Sequence, residues 1–247
     1  MTDYLILAVA AFFAGTLNTV AGGGTFLTFP ALVYTGVPVV AANATSAVAV
    51  FPGYLGGAAG FRAELLAFDR RRLVRIALFT ILGGLIGSLL LLVSSNAAFS
   101  LTIPFLLAAA TLIFAFGDRL RAMAEKRSRA GGDGWLSTIL VSVYGGYFNG
   151  GLGIVFLALF SMWGMRDLNQ MNGLKNGLSF ILSAISVAIF AVAGIVAWPQ
   201  AAVMMVAATA GGYAGAPLAR ALPLFVVRAI IIAVGTVMSL VFFARLF

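Results

Sequence analysis

The sequence predicts an all-α, polytopic membrane protein built as two inverted repeats, and three observations lead there. Of 247 residues, 62% are hydrophobic and only 9% charged, against roughly 45–50% and about 25% in soluble domains. Ten of the fifteen Lys and Arg residues fall in two short segments, Arg62 to Arg75 and Arg119 to Arg129. The order of motifs in the first half returns in the second: Gly83-Gly84-Leu85-Ile86-Gly87 matches Gly211-Gly212-Tyr213-Ala214-Gly215, Gly36 matches Gly164, and Asn43 matches Asn172.

Composition also excludes. Apolar stretches run from Tyr4 to Phe247, too many for a single anchor and too apolar for disorder. Their continuous runs do not alternate as the strands of an outer-membrane barrel do. The chain has neither Cys nor His, which removes disulfides, thiol nucleophiles, most zinc, haem and iron–sulfur sites, and His-based triads. No nucleophile–base pair or metal-ligand cluster can be assembled in the membrane from what remains. The expectation is a protein that is not an enzyme and has no cofactor. Met1-Thr2-Asp3 lacks the basic flank of a cleavable signal, so the first apolar stretch is read as retained.

The elements follow in order. Residues 4–21 and 25–36 form a first pair, and the second member is shorter than the roughly 17–25 residues a span needs. The pair is read as a re-entrant hairpin broken at Gly22-Gly23-Gly24. A span at 39–60 then runs from outside to inside, because Arg62, Arg70, Arg71, Arg72 and Arg75 mark a cytoplasmic loop by the positive-inside rule. Spans at 73–93 and 97–117 go out and return around Ser94-Ser95-Asn96, ending at a second basic segment. A second glycine-broken hairpin, 135–150 with 154–165, follows. The remaining spans are 176–197, 200–219 and 223–244, with the Trp198-Pro199 turn outside and Arg220 inside. Residues 1–117 form the first repeat, 118–134 a basic cytoplasmic linker, and 135–247 the second repeat in the opposite orientation. The net charge of +8 thus records topology and contact with anionic membrane lipids, and nucleic acid is not a partner. The glycine faces at 83–87 and 211–215 suit close packing within one subunit or across a homodimer.

Inverted repeats with helices interrupted at corresponding places are the pattern of secondary transporters, which bind substrate where the breaks meet. Helix starts after the breaks would direct backbone amides of Gly22, Gly23, Gly24 and of Gly150, Gly151, Gly153 toward an anion. Asn18 and Thr19 precede the first break, and Asn149 sits in the second. Each half then has a polar cluster at the start of its long span: Asn43, Thr45 and Ser46, and Asn172, Lys175 and Asn176. N-capping is the alternative reading for both clusters. Lys175 is one of only two lysines and stands beside an apolar span. It is either a charge for a small anionic substrate or a snorkelling interfacial cation. All seven carboxylates lie at termini or in connections, which leaves no carboxylate proton relay inside the membrane.

With these motifs in place the chain resembles the sulfite exporter TauE/SafE family, also called the toluene-sulfonate uptake permease family. The likeness rests on Gly15 to Pro30, Asn-Ala-Thr-Ser at 43–46, Gly-Gly-Tyr-Phe-Asn-Gly-Gly-Leu-Gly at 145–153 and Asn-Gly-Leu-Lys-Asn at 172–176, and extends over nearly the whole chain. It implies a multi-pass transporter of the bacterial inner membrane that moves sulfite, sulfonates or related sulfur-containing organic acids. The second half departs from the first in having Lys175 where Ser46 stands. A channel and a non-transporting membrane scaffold are the competing readings.

Overall fold

A computed structural model describes residues 2–20, 23–127, 134–221 and 224–244, and among these every regular element is a helix. In chain order they are α1 (Thr2–Val20), α2 (Thr25–Tyr34), α3 (Val39–Gly60), α4 (Arg62–Leu66), α5 (Arg70–Val93), α6 (Asn96–Arg127), α7 (Trp135–Tyr147), α8 (Leu152–Met162), α9 (Leu168–Val192), α10 (Trp198–Ala221) and α11 (Leu224–Ala244). Among the described residues, four stretches are long and apolar enough to cross a membrane: Val39–Gly60, Arg70–Val93, Asn96–Ile113 and Asn169–Val192. At 1.5 Å per residue α2, α7 and α8 rise only about 15–20 Å, short of a hydrocarbon core about 30 Å thick. α2 contacts both α1 and α3, and α8 contacts α6, α9 and α7, so the short helices sit within the bundle as the expected hairpins require.

Three boundaries differ from those the sequence predicts. α9 begins at Leu168 rather than 176, because the Asp167 carboxylate caps it, accepting from Asn169 N at 2.9 Å and Gln170 N at 3.2 Å. The polar cluster 172–176 therefore lies inside the helix. α9 then ends at Val192, and Gly194, at φ +69°, makes the reversal. Trp198-Pro199 is not that turn. It opens α10, where proline's missing N–H costs nothing. Finally, α6 continues through Arg127, so the first ten residues of the expected linker are helical; residues 128–133 lie outside the described set.

The packing crosses between halves. α1 lies along α10, while α7 lies along α5; α3 pairs with α9 and α6 with α11. Glycine makes the first two contacts close. A Cβ on Gly15 would fall on the Ala208 carbonyl, and one on Gly211 would fall on the Phe12 carbonyl. Across the other pair, Cβ atoms on Gly87 and Gly146 would collide with the carbonyls of Val143 and Gly84. Small residues let backbones meet where lipid offers no hydrophobic drive for association. Thr16 Oγ1 adds a hydrogen bond to the Gly211 carbonyl at 3.0 Å.

Between these layers sits an aromatic core. Phe29 of α2 is fully buried and stacks on Phe242 with ring centroids 5.8 Å apart, meeting Phe148 edge-on at 5.9 Å and Phe99 at 6.5 Å. One side chain thus fixes the short hairpin helix against α6, α11 and the second break.

Candidate functional site

The two breaks are closed by different means. In the first, Asn18 Oδ1 accepts from the Gly24 amide at 2.8 Å, a staple across the gap. The next amides, of Phe26, Leu27 and Thr28, bond to the carbonyls of Gly23 and Gly24. The start of α2 is therefore largely occupied by its own chain. Gly22 lies outside the described residues, as does the side chain of Thr19.

The second break turns left-handed twice. Asn149 has φ +62° and Gly151 φ +70°, a conformation that costs an ordinary L-residue roughly 1–2 kcal/mol and that Asn and Gly adopt most readily. Tyr144 donates its hydroxyl hydrogen bond to the Gly150 carbonyl. Asn43 of α3 donates to the Tyr147 carbonyl at 2.8 Å, taking one of the carbonyls left unpaired where α7 ends. Tyr54, further along α3, reaches Asn149 Oδ1 at 3.5 Å. Gly151 packs against Phe26 and Ala110, and Gly153 is buried in the first turn of α8.

The two polar clusters occupy equivalent places, each beginning at the fifth residue of its helix. Neither is a cap, since Asp167 caps α9 and no side chain caps α3 at Pro38. In the first cluster Thr45 Oγ1 accepts from the Ala197 amide at 3.0 Å, and Ser46 shares a 2.6 Å hydrogen bond with Thr28. Asn43 is 3% exposed, and its Oδ1 is buried without a partner. In the second, Lys175 is 6% exposed and donates from Nζ to Asn172 Oδ1 at 3.0 Å. Asn176 lies against Gly57 of α3.

α3 and α9 run antiparallel, as their contacts show: Phe51 stacks on Phe180 at 5.1 Å, Gly57 meets Asn176, and Gly173 meets Phe61. Lys175 is therefore level with the end of α3 near Gly57. The stretch from Asn43 to Gly57 rises about 21 Å. The structure thus sets the candidate residues on two levels, with Asn43, Thr45 and Ser46 toward one face and Asn172, Lys175 and Asn176 toward the arginine-bearing face. The second break is tied to α3 through both Asn43 and Tyr54. Beyond Lys175, α4 covers α9, with Phe61 and Glu64 over Gly173 and Leu65 over Gly177. A recess of about 370 Å³ opens at the opposite end, between residues 35–41 and 195–200.

Sequence reasoning missed Tyr54, Tyr144 and Thr28, which hold the breaks and the first cluster. Tyr54 follows Pro52-Gly53 in a glycine-rich stretch, and Tyr144 precedes Gly145-Gly146. Such an isolated hydroxyl beside backbone irregularity was the available signal.

A multi-pass helical bundle with two broken hairpins and a buried cation is the architecture of a membrane transporter, and the comparisons agree. The family model for the sulfite exporter TauE/SafE matches residues 7–242, and the chain belongs to that family. A "Probable membrane transporter protein" of Haemophilus influenzae is 27% identical over 237 residues, covering 95% of this chain and 92% of the relative. A "Probable membrane transporter protein ORF9" of Sinorhizobium sp is 25% identical over 242 residues, covering 95% and 90%. No solved structure matches the chain. The protein is a membrane transporter for a small-molecule substrate and a multi-pass protein of the inner membrane.

Proposed function

We propose that the transporter moves small oxyanions, of which sulfite and organic sulfonates are the best fit, by alternating access, and that it catalyses no covalent reaction. The observation that carries this reading is Lys175: a cation 6% exposed, inside a membrane helix, with a neutral amide as its hydrogen-bond acceptor. A Lys buried within an apolar helical segment is costly, and such residues mark substrate or ion paths. A passing anion offsets that cost. Asn172 and Asn176 supply neighbouring donors, and the amides of Gly150, Gly151 and Gly153 at the second break are the further donors of this reading. Asn43 anchors that break from the far level, while Asn18, Thr45 and Ser46 brace the helices around it.

The reading of the chain as two inverted repeats is supported by the exchanged packing. α1 lies on α10 and α7 on α5, and both pairs meet through glycines. In this reading each hairpin is carried by the opposite half, and rocking of one half against the other exposes the Lys175 level and the Asn43 level in turn. The test is uptake of radiolabelled sulfite and methanesulfonate into liposomes containing the purified chain. Saturable flux that is trans-stimulated by unlabelled anion and lost in Lys175→Ala is expected. Equal flux in the variant would remove Lys175 from the path, and unsaturable channel-rate flux would remove alternating access.

A further inference from the structure

A set of buried hydroxyls lies beyond Lys175, on α9 and the helices against it. Buried hydroxyls in this protein generally have visible work: Ser88 donates to Ser186 at 2.7 Å, Ser186 to the Leu182 carbonyl at 3.1 Å, and Ser161 to the Leu157 carbonyl at 3.0 Å. Among the described residues five others have none: Ser239 on α11, and four that lie on α5, α7 and α9. The hydroxyls of Thr80, Ser142, Ser179 and Ser183 are buried without a hydrogen-bond partner, on residues no more than 1% exposed. A buried polar group left unpaired is costly, so its retention calls for a partner.

Their positions bring them to one depth. α5 and α9 run parallel, since Gly84 meets Leu182 and Ser88 meets Ser186. α5 and α7 are parallel too, with Gly83 against Ser142 and Gly87 against Val143 and Tyr147. On that register Thr80, Ser142, Ser179 and Ser183 fall within about 8 Å of depth. Thr80 lies on the side of α5 between Gly83 and Gly87, which meet α7, and Gly84, which meets Leu182 of α9. Ser142 lies on α7 between Gly146, which meets α5, and Gly145, which meets Leu182 of α9. Ser179 and Ser183 share the face of α9 that carries Ser186, and Lys175 stands one turn before Ser179 on the same face.

The geometry points to a hydroxyl station for the oxyanion: Thr80, Ser142, Ser179 and Ser183 take over its oxygens after Lys175. This rests on the anion-transport reading and extends the binding set to α5, α7 and α9. Three features select an oxyanion over a cation. The neighbouring full charge is positive, the groups are hydroxyl donors, and no carboxylate stands among them. In the packed state seen here the glycine contacts close the junction, so the station forms when α9 parts from the α5–α7 pair, the movement that alternating access requires.

Titration calorimetry of the purified full chain with sodium methanesulfonate and with sodium sulfite tests this. Ser179→Ala/Ser183→Ala and Thr80→Val/Ser142→Ala are each expected to weaken binding about fivefold or more. Ser88→Ala/Ser186→Ala, which removes hydroxyls already bonded to protein, should stay within about twofold. Melting temperatures of all three are measured alongside; where a double variant does not fold, its two single variants are titrated instead. A smaller loss in Ser179→Ala/Ser183→Ala, with Lys175→Ala still strongly impaired, overturns the hydroxyl station and leaves the anion reading intact. Equal losses in the Ser88/Ser186 variant also overturn it, because the effect is then one of packing. A wild-type chain that binds neither anion overturns both.

Discussion

The clusters Asn43 to Ser46 and Asn172 to Asn176 start from equivalent places in their helices and do opposite things. Thr45 and Ser46 are engaged by the Ala197 amide and by Thr28, and Asn43 donates to the Tyr147 carbonyl. The first cluster thus ties α3 to the α9–α10 turn, to α2 and to the second break. The second makes its short polar contact within itself, Lys175 to Asn172, and keeps a buried positive charge. A Ser in one cluster and a Lys in the other, each eight residues into its helix, separate a structural polar layer from a charged one.

The largest expected break in that comparison is Lys175→Ala. A hydrogen bond to a charged group contributes about 1.5–3 kcal/mol, so affinity for methanesulfonate should fall roughly tenfold to a hundredfold, with little change in melting temperature. Lys175→Arg should recover part of it; calorimetry of both variants checks the charge against the shape. Thr45→Val should act on stability, costing about 1–3 kcal/mol by leaving the Ala197 N–H without its acceptor. Denaturant unfolding in detergent measures this, and a drop in anion affinity without loss of stability would place Thr45 in the site instead. The smallest effect is expected from Asp167→Ala, about 1 kcal/mol of stability from the lost cap. Its anion affinity, read in the same titration, is expected to be unchanged, which separates the cap at Asp167 from binding.

Much of the fold was legible because membrane helices advertise themselves by length. The span 39–60 coincides with α3, and 73–93 and 97–117 lie within α5 and α6. α9 was misplaced by eight residues because apolarity was taken to mark its start. Met171, Leu174 and Leu178 are buried beside Lys175, and protein rather than lipid surrounds that polar turn. A run of cations likewise says on which side a segment lies and nothing about whether its helix has ended, and α6 continues through Arg127 into the expected linker. In the candidate site the residue types were readable, but Tyr54, Tyr144 and Thr28 were not. A single hydroxyl beside a glycine or proline irregularity marks a place, and only its neighbour across the bundle shows what it bonds to.

The sequence by itself determined that this is a helical membrane protein, where its helices break, and that one lysine stands beside an apolar span. Those properties follow from local quantities: hydropathy over a span, glycine runs, and the placement of charge. Only the tertiary structure decided that the two polar clusters lie about 21 Å apart in depth, that α1 packs on α10 and α7 on α5, and that four hydroxyls on three helices share one level unpaired. Depth and pairing depend on which helices run antiparallel and in what register. That register is fixed by contacts such as Phe51 with Phe180 and Gly84 with Leu182, between residues that no local pattern connects.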